Sequence, residues 1–433
     1  MADKWYLQYQ SKLVSAADAV QEIPDGAVVF CGFCAAEPPA LLEAMNVNKN
    51  AYKGVSVIQM LSPQRASFIN AESAEHLRLN SWFTSGHSRS AVNEGWADYT
   101  PTHFHDSCHL IRQEMVPVDL FVTAVGPMDD QGYFSLGVSV AYAFDAIKKA
   151  KKVIFEVNEN MPRTCGNSFV HISHVDQIVE NHVPLPQMLS SQPNEIQRII
   201  GTRIADLIED GSTVQLGFGG IPMAMAEFLK EKNDLGIHTE LLVDAMVDLI
   251  ECGAVNNHKR SLHLGKITGN ALVGTDKIYK YCHNNPLVEL YPVDYTNDPA
   301  MIALNNKMVA VNSTLEVDLF GQCVSESIGY RHYSGSGGQL DYVRGAVKSP
   351  GGKAILALPS TAKEDSISRI VPCLTPGACV TVPRNDTDYI VTEFGAVRLR
   401  AKSQRERALA LISIAHPNFR DGLRFQAQKI NLI

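Results

Sequence analysis

Glu240 stands where a side chain could do chemistry. It follows Leu235-Gly236-Ile237-His238-Thr239, which reads as a short strand. It precedes Leu241, Leu242, Ala245, Met246, Leu249 and Ile250, which recur at helical spacing. A carboxylate at such a junction is expected on the carboxyl edge of a sheet, aimed into the crevice where open α/β sheets bind ligands. The amino terminus of a helix starting there would help to keep it ionised, and an ionised carboxylate is a nucleophile. The plainer reading is a first-turn Glu that stabilises its own helix. His238 alternates with Glu240 along the strand, so it could orient the carboxylate, donate to an oxyanion, or simply be buried and satisfied by backbone.

Three further segments could serve the same chemistry. Gly217-Phe218-Gly219-Gly220-Ile221-Pro222 is expected at a strand-to-helix turn. Its glycines let backbone N–H groups approach a ligand, and Pro222 suits a first helical turn. Glycine demanded only by the dihedrals of a tight turn is the plainer alternative. Gly335-Ser336-Gly337-Gly338-Gln339-Leu340-Asp341 is dense in glycine and reads as a loop, either flexible surface or a close approach to a ligand. Lys363, after the strand Ala354–Leu358, could meet a phosphate, although such a lysine is more often solvated.

The elements that must position these residues alternate strand and helix. Ala27–Cys31, Val55–Met60, Leu120–Val125, Lys152–Val157, Thr213–Gly217, Met308–Val311, Lys353–Leu358 and Asp388–Val391 read as strands between amphipathic stretches, the pattern of open, mostly parallel α/β sheets. The chain also repeats itself. Residues 23–33 and 208–218 share six of eleven positions at an offset of 185, each copy turning at Asp-Gly into a short strand. A repeat this distant implies two similar domains. Glu180–Asn194, with Pro184, Pro186 and Pro193, has linker composition, so the domains are placed at 1–188 and 189–433.

Composition excludes other classes. Apolar residues make up 45% and charged residues 19%, ordinary globular values. Lys plus Arg is 38 against 46 Asp plus Glu, a net charge of −8 that argues against nucleic acid as a partner. No apolar stretch approaches the roughly 20 residues of a membrane helix. Met1–Trp5 lacks a basic region followed by an apolar one, so no secretory signal is expected. Nine scattered cysteines, an odd number, read as reduced thiols in the cytoplasm.

Taken in order, Gly217–Pro222, His238-Thr239-Glu240, Gly335–Asp341 and Thr392-Glu393-Phe394-Gly395 resemble the acetyl-CoA hydrolase/transferase family, most of all its 4-hydroxybutyrate and butyrate:acetate CoA-transferase branch. Gly126-Pro127-Met128-Asp129, Glu156–Pro162 and Arg405–Pro417 extend the resemblance over nearly the whole chain. The resemblance implies two open α/β domains of the CoA-transferase type with the active site between them, in a homodimer. It implies Glu240 as the nucleophile that carries CoA as a thioester. It places CoA contacts on Gly217, Phe218, Gly219, Gly220 and Ile221, on Gly335 and Gly338, and on Lys363. Acyl-CoA and short-chain carboxylates are then the substrates, with coenzyme A as cosubstrate and no permanently bound cofactor or metal. Tyr342 departs from the Phe common in relatives after Asp341, which leaves the neighbouring pocket lining open.

Other signals are discounted. His103, His105 and His109 could form a metal set only on a strand, and Pro101-Thr102 suggests a loop. Cys31-Gly32-Phe33-Cys34 has redox spacing but lies at a strand end and reads as packing. Glu316, Asp318 and Glu393 are either further polar groups of the site or ordinary loop charges. An acyl-CoA hydrolase sharing the intermediate, a transferase acting on itaconate or succinate, and a non-catalytic acyl-CoA binding module all stay open. A dinucleotide enzyme is disfavoured by Pro222 at the sixth position of the glycine turn.

Overall fold

The computed structural model describes residues 2–433. They form two compact α/β units, each built on a mostly parallel sheet. Among them no helix is long and apolar enough to cross a membrane.

The main sheet of the first unit has seven strands: β1 (Val28–Cys31), β2 (Val55–Met60), β3 (Leu77–Phe83), β4 (Asp98–Tyr99), β5 (Leu120–Val125), β6 (Lys152–Val157) and β7 (Gln177–Glu180). All pair in parallel, in the order β7-β6-β5-β1-β2-β3-β4. Strands buried on both faces read as continuous apolar runs, which is why β5 and β6 are plain in the sequence. On one face Val29, Val55, Val57, Leu77 and Leu79 pack with Leu41, Leu42 and Met45 of helix α1 (Pro39–Val47). On the other, Phe30 meets Trp82 edge-on at 5.3 Å.

The second unit is built on β8 (Thr213–Leu216), β9 (Gly236–Ile237), β10 (Met308–Ser313), β11 (Lys353–Ala357), β12 (Tyr389–Thr392) and β13 (Gly395–Arg398), in the order β9-β8-β10-β11-β12-β13. Five run in parallel and β13 returns antiparallel at the edge. Its helices include α2 (Glu195–Leu207), α3 (Gly220–Leu229), α4 (Asp244–Glu251), α5 (Gln339–Lys348) and α6 (Gln404–Ile414). Asn194 and Gln197 close a capping box at the start of α2.

The internal repeat is structural. Gly26 and Gly211 both take left-handed φ, 71° and 76°, a region open to glycine at little cost. Asp25 Oδ1 accepts from the Lys53 amide at 2.9 Å, and Asp210 Oδ1 accepts from the Asn233 amide at 2.8 Å. In each copy the glycine N–H returns to that same partner's carbonyl. Each then feeds a strand that sits inside its sheet.

The division of the chain differs from one cut near 188. The first unit takes residues 1–189 and also Thr268–Thr296, and the second takes 190–267 and 297–433. The inserted segment belongs to the first unit through backbone bonds from Val140 to Asn270, Leu272 to Val138 and Met188 to Gly274. Its strand Val288–Leu290 also pairs with Cys165–Gly166. Short strands joined by backbone bonds to a remote loop carry no periodicity that would reveal this return.

Candidate active site

The carboxyl ends of the second unit's strands collect the residues singled out by chemistry. Glu240 follows β9, Gly217–Gly220 follow β8, Asn312 and Ser313 end β10, Ser360 follows β11 and Glu393 follows β12. Asn312 ties the end of β10 to β8. It exchanges amide hydrogen bonds with Gln215 at 3.2 and 3.4 Å, while its neighbour's carbonyl, Ser313 O, accepts from Gln339 Nε2 at 2.8 Å.

Glu240 is not at the start of its own helix. Leu241–Leu242 is a short strand and α4 begins at Asp244, so the expected support from that helix is absent. A different helix supplies it. Gly338 is the N-cap of α5, and its backbone N–H donates to the Glu240 carboxylate. First-turn N–H groups have no partner within their helix, and the helix dipole favours negative charge there. Asn297 Nδ2 donates to Glu240 Oε2 at 2.7 Å. A Cβ built on Gly338 would overlap both Glu240 Oε2 and Asn297 Nδ2, so only glycine permits this approach.

Glu240 is partly exposed as a residue, yet protein crowds its carboxyl group. Burial pushes its pKa up to about 7, with the nearby Asp341 charge adding to the rise and the two donors opposing it. A carboxyl group with that pKa is about half ionised at neutral pH, and its anion is more basic than an ordinary glutamate. Behind it, buried His238 meets Arg260 at 3.3 Å and lies 6.2 Å from the ring of Tyr342. Arg260 is itself buried and bonds Asn305 and the Lys266 carbonyl.

The other expected site residues divide. Gly219 has φ 130° with open space around it, so its backbone demands glycine. Gly220 opens α3, and a Cβ there would press on the Gln197 amide of the α2 capping box, a packing constraint. Phe218 is partly exposed and Ile221 is buried. Gly335 is buried in the loop before α5, whereas Gln339–Asp341, expected in that loop, form the helix's first turn. Lys363 is exposed in a turn of three consecutive left-handed residues, 363–365. Asn297 escaped the sequence reading. It lies 57 residues from Glu240 in an asparagine-aspartate turn that carries no motif.

The discounted groups have structural partners. Glu393 accepts from the Ser360 amide and hydroxyl, Glu316 from Thr375, and Asp318 from the loop amides of Phe320 and Gln322. In the first unit, His109 lies on the helix Ser107–Arg112, away from any three-histidine strand face. Among the described residues, Cys108, Asp145 and Asp294 are grouped closely enough to hold a metal, but Arg112 pairs with both carboxylates, at 2.8 and 2.5 Å. Cys31 and Cys34 are buried free thiols.

Comparison with known proteins bears on the whole chain. The acetyl-CoA hydrolase/transferase N-terminal domain matches residues 2–187, and the C-terminal domain of that family matches 274–427. Glu240 and the glycine turn lie between the two matches. Succinyl-CoA:cyclohexane-1-carboxylate CoA transferase of Geobacter metallireducens is 46% identical over 98% of this chain and 97% of its own. The 4-hydroxybutyrate coenzyme A transferase of Clostridium kluyveri is 45% identical over 98% and 99%. The crystal structure of RipA from Yersinia pestis superposes with a TM-score of 0.93 at 40% identity, covering 99% of this chain and 100% of that one.

Proposed function

The chain belongs to the acetyl-CoA hydrolase/transferase family as a CoA-transferase, and from that premise we propose that it moves CoA between short-chain carboxylic acids through a glutamyl-CoA thioester on Glu240. The observation that carries this reading is the Glu240 carboxylate at the amino terminus of α5, held by Asn297 and the Gly338 N–H.

A Glu240 oxygen attacks the thioester carbonyl of an acyl-CoA. The C–S bond breaks and CoA leaves as thiolate, giving an acyl-glutamyl anhydride. The thiolate then attacks the Glu240 side-chain carbonyl, and the first acid leaves as its carboxylate. A second carboxylate attacks the resulting thioester, and the same steps in reverse release a new acyl-CoA and free Glu240. Each addition places negative charge on a carbonyl oxygen. The Gly338 N–H, which donates to the Glu240 carboxylate, can follow that charge onto the Glu240 side-chain oxygen, and a good donor is worth roughly 3–4 kcal/mol. The raised pKa of Glu240 makes its anion a stronger nucleophile above pH 7. These steps need no metal or redox group.

In this reading Gly217–Ile221, Gly335 and Lys363 contact CoA, and contacts remote from the thioester help to lower its barrier. Gly338, expected to contact CoA, is assigned to the carboxylate instead. We place the enzyme in the cytoplasm as a homodimer. Glu240→Ala is expected to abolish transfer, and Glu240→Asp to lose most of it because the carboxylate is withdrawn by one methylene. Turnover assayed with and without an acceptor acid separates transfer from hydrolysis. Normal turnover by Glu240→Ala would end the proposal.

A further inference from the structure

We propose that Arg260 is a positioning residue for the transfer reaction: from behind the site its guanidinium ties together the three segments that present the Glu240 carboxylate and its two donors. The inference rests on the reading of Glu240 as nucleophile, and every residue it uses lies in the second unit.

Arg260 is 4% exposed, so its donors are used inside the protein. Its Nη2 carries two hydrogens. One donates to His238 Nδ1 at 3.3 Å and the other to Asn305 Oδ1 at 3.1 Å, while Nη1 donates to the Lys266 carbonyl at 2.7 Å. The stem lies across β9: a Cβ on Gly236 would overlap Arg260 Cγ, so glycine lets the arginine pass. From this centre three links lead to the carboxylate. His238 extends β9, its N–H bonded to the Val214 carbonyl, and Glu240 is two residues on. The His238 ring lies 6.2 Å from the ring of Tyr342 on α5, the helix whose N-cap, Gly338, donates to Glu240. Asn305 Nδ2 donates to the Ile302 carbonyl at 3.3 Å, in the last turn of the helix Pro299–Ala303. Asp298 caps that helix, and the residue before it is Asn297, the other donor to Glu240. The same helix packs tightly on α5, where a Cβ on Gly345 would overlap Ile302.

These bonds also define what His238 does. Arginine has no acceptor, so His238 Nδ1 must accept, and the imidazole carries its proton on Nε2. With that lone pair taken, His238 is a strut between the strand end and α5, not a base. Lysine is no substitute for Arg260, because a single ammonium cannot match the planar fork. Such bracing matters, since a misplacement of about 1 Å can cost about 100-fold in rate. Glu240 faces Asp341 and Tyr342 from α5, and His238 with Arg260 from the strand side. Burial and the charges of Glu240 and Asp341 push the Tyr342 phenol well above its usual range, with Arg260 opposing them, so Tyr342 stays protonated.

The test measures kcat and KM for butyryl-CoA, with acetate as acceptor, as a function of pH. Arg260→Lys keeps the charge and loses the fork. Shown to be folded by thermal melt, it is expected to lose about tenfold or more in kcat at pH 7 with KM within about twofold of wild type. The rise of kcat should also move to higher pH, because donors that favour the anion slip from it. Wild-type kcat in folded Arg260→Lys, or a loss equal at every pH, would overturn the proposal. Should Arg260→Lys fail to fold, two variants of His238 decide. His238→Asn keeps an acceptor near the place of Nδ1 and should leave the rise of kcat near its wild-type pH. His238→Leu has no acceptor and should move the rise upward. Equal displacement in both, or in neither, would overturn the proposal. Transfer that persists in Glu240→Ala removes the nucleophile reading and this inference with it, whereas wild-type behaviour of Arg260→Lys in an enzyme that needs Glu240 counts against this inference alone.

Discussion

A carboxylate used as a nucleophile must be ionised when substrate arrives, yet poorly enough solvated to attack. Glu240 meets both demands through opposing influences. Burial and Asp341 disfavour its charge, while Asn297 Nδ2 and the Gly338 N–H favour it. Activity is therefore expected to rise with pH through about 7, since only the anion attacks. Asn297→Ala removes a donor that favours the charged form, so the same limb should move to higher pH. At pH 7 this variant is expected to lose roughly tenfold or more in kcat, with part of the loss recovered by pH 9. A loss equal at every pH would assign Asn297 a purely structural role. The place of Glu240 after a short strand was legible in one dimension, while its proposed role came from the family resemblance. Asn297 was not, because the bond that matters spans 57 residues between two irregular segments.

The elements were read best where physics acts locally. Val55–Met60, Leu120–Val125 and Lys152–Val157 are strands with the bounds expected; strands buried on both faces are near-continuous apolar runs, and in Val55–Met60 only Ser56 and Gln59 break the run. Leu77–Phe83 mixes Arg78 and Asn80 among its apolar residues and escaped notice. The helix after Glu240 begins late because Leu241 and Leu242, apolar at helical spacing, serve a two-residue strand instead. The same ambiguity hid the start of α5 inside a glycine-rich run. That helix makes a testable demand: Gly338→Ala should drive a methyl group into the Glu240 and Asn297 side chains. Overpacking of this kind costs about 1–3 kcal/mol, so the protein should fold while transfer falls by 100-fold or more. Wild-type kinetics in folded Gly338→Ala would show that α5 does not hold the carboxylate. Gly219→Ala should act differently, through backbone strain at φ 130°, because no neighbour stands in the way.

At the scale of the molecule, the Asp-Gly repeat correctly implied two related sheets, and its hydrogen bonds match between the copies. The return of 268–296 to the first unit was not legible, since its links are backbone bonds and buried residues such as Leu272, Ile278 and Leu290, with no change of composition. It has a consequence for folding. A fragment of residues 1–189 lacks the strand partner of Cys165–Gly166 and leaves that face of its core uncovered. It is expected to melt without cooperativity, whereas the same fragment joined by a flexible linker to 268–296 should gain a cooperative transition by circular dichroism. Equal cooperativity in the two fragments would show that the inserted segment is dispensable to the unit.

The central claim is that CoA is carried covalently on Glu240, and a trapping experiment meets it directly. The protein is incubated with butyryl-CoA without an acceptor acid, reduced with borohydride and mapped by peptide mass spectrometry. A reduced side chain at Glu240, absent from Glu240→Ala, is the expected result. An unmodified Glu240 under conditions where the ester demonstrably binds would contradict the account.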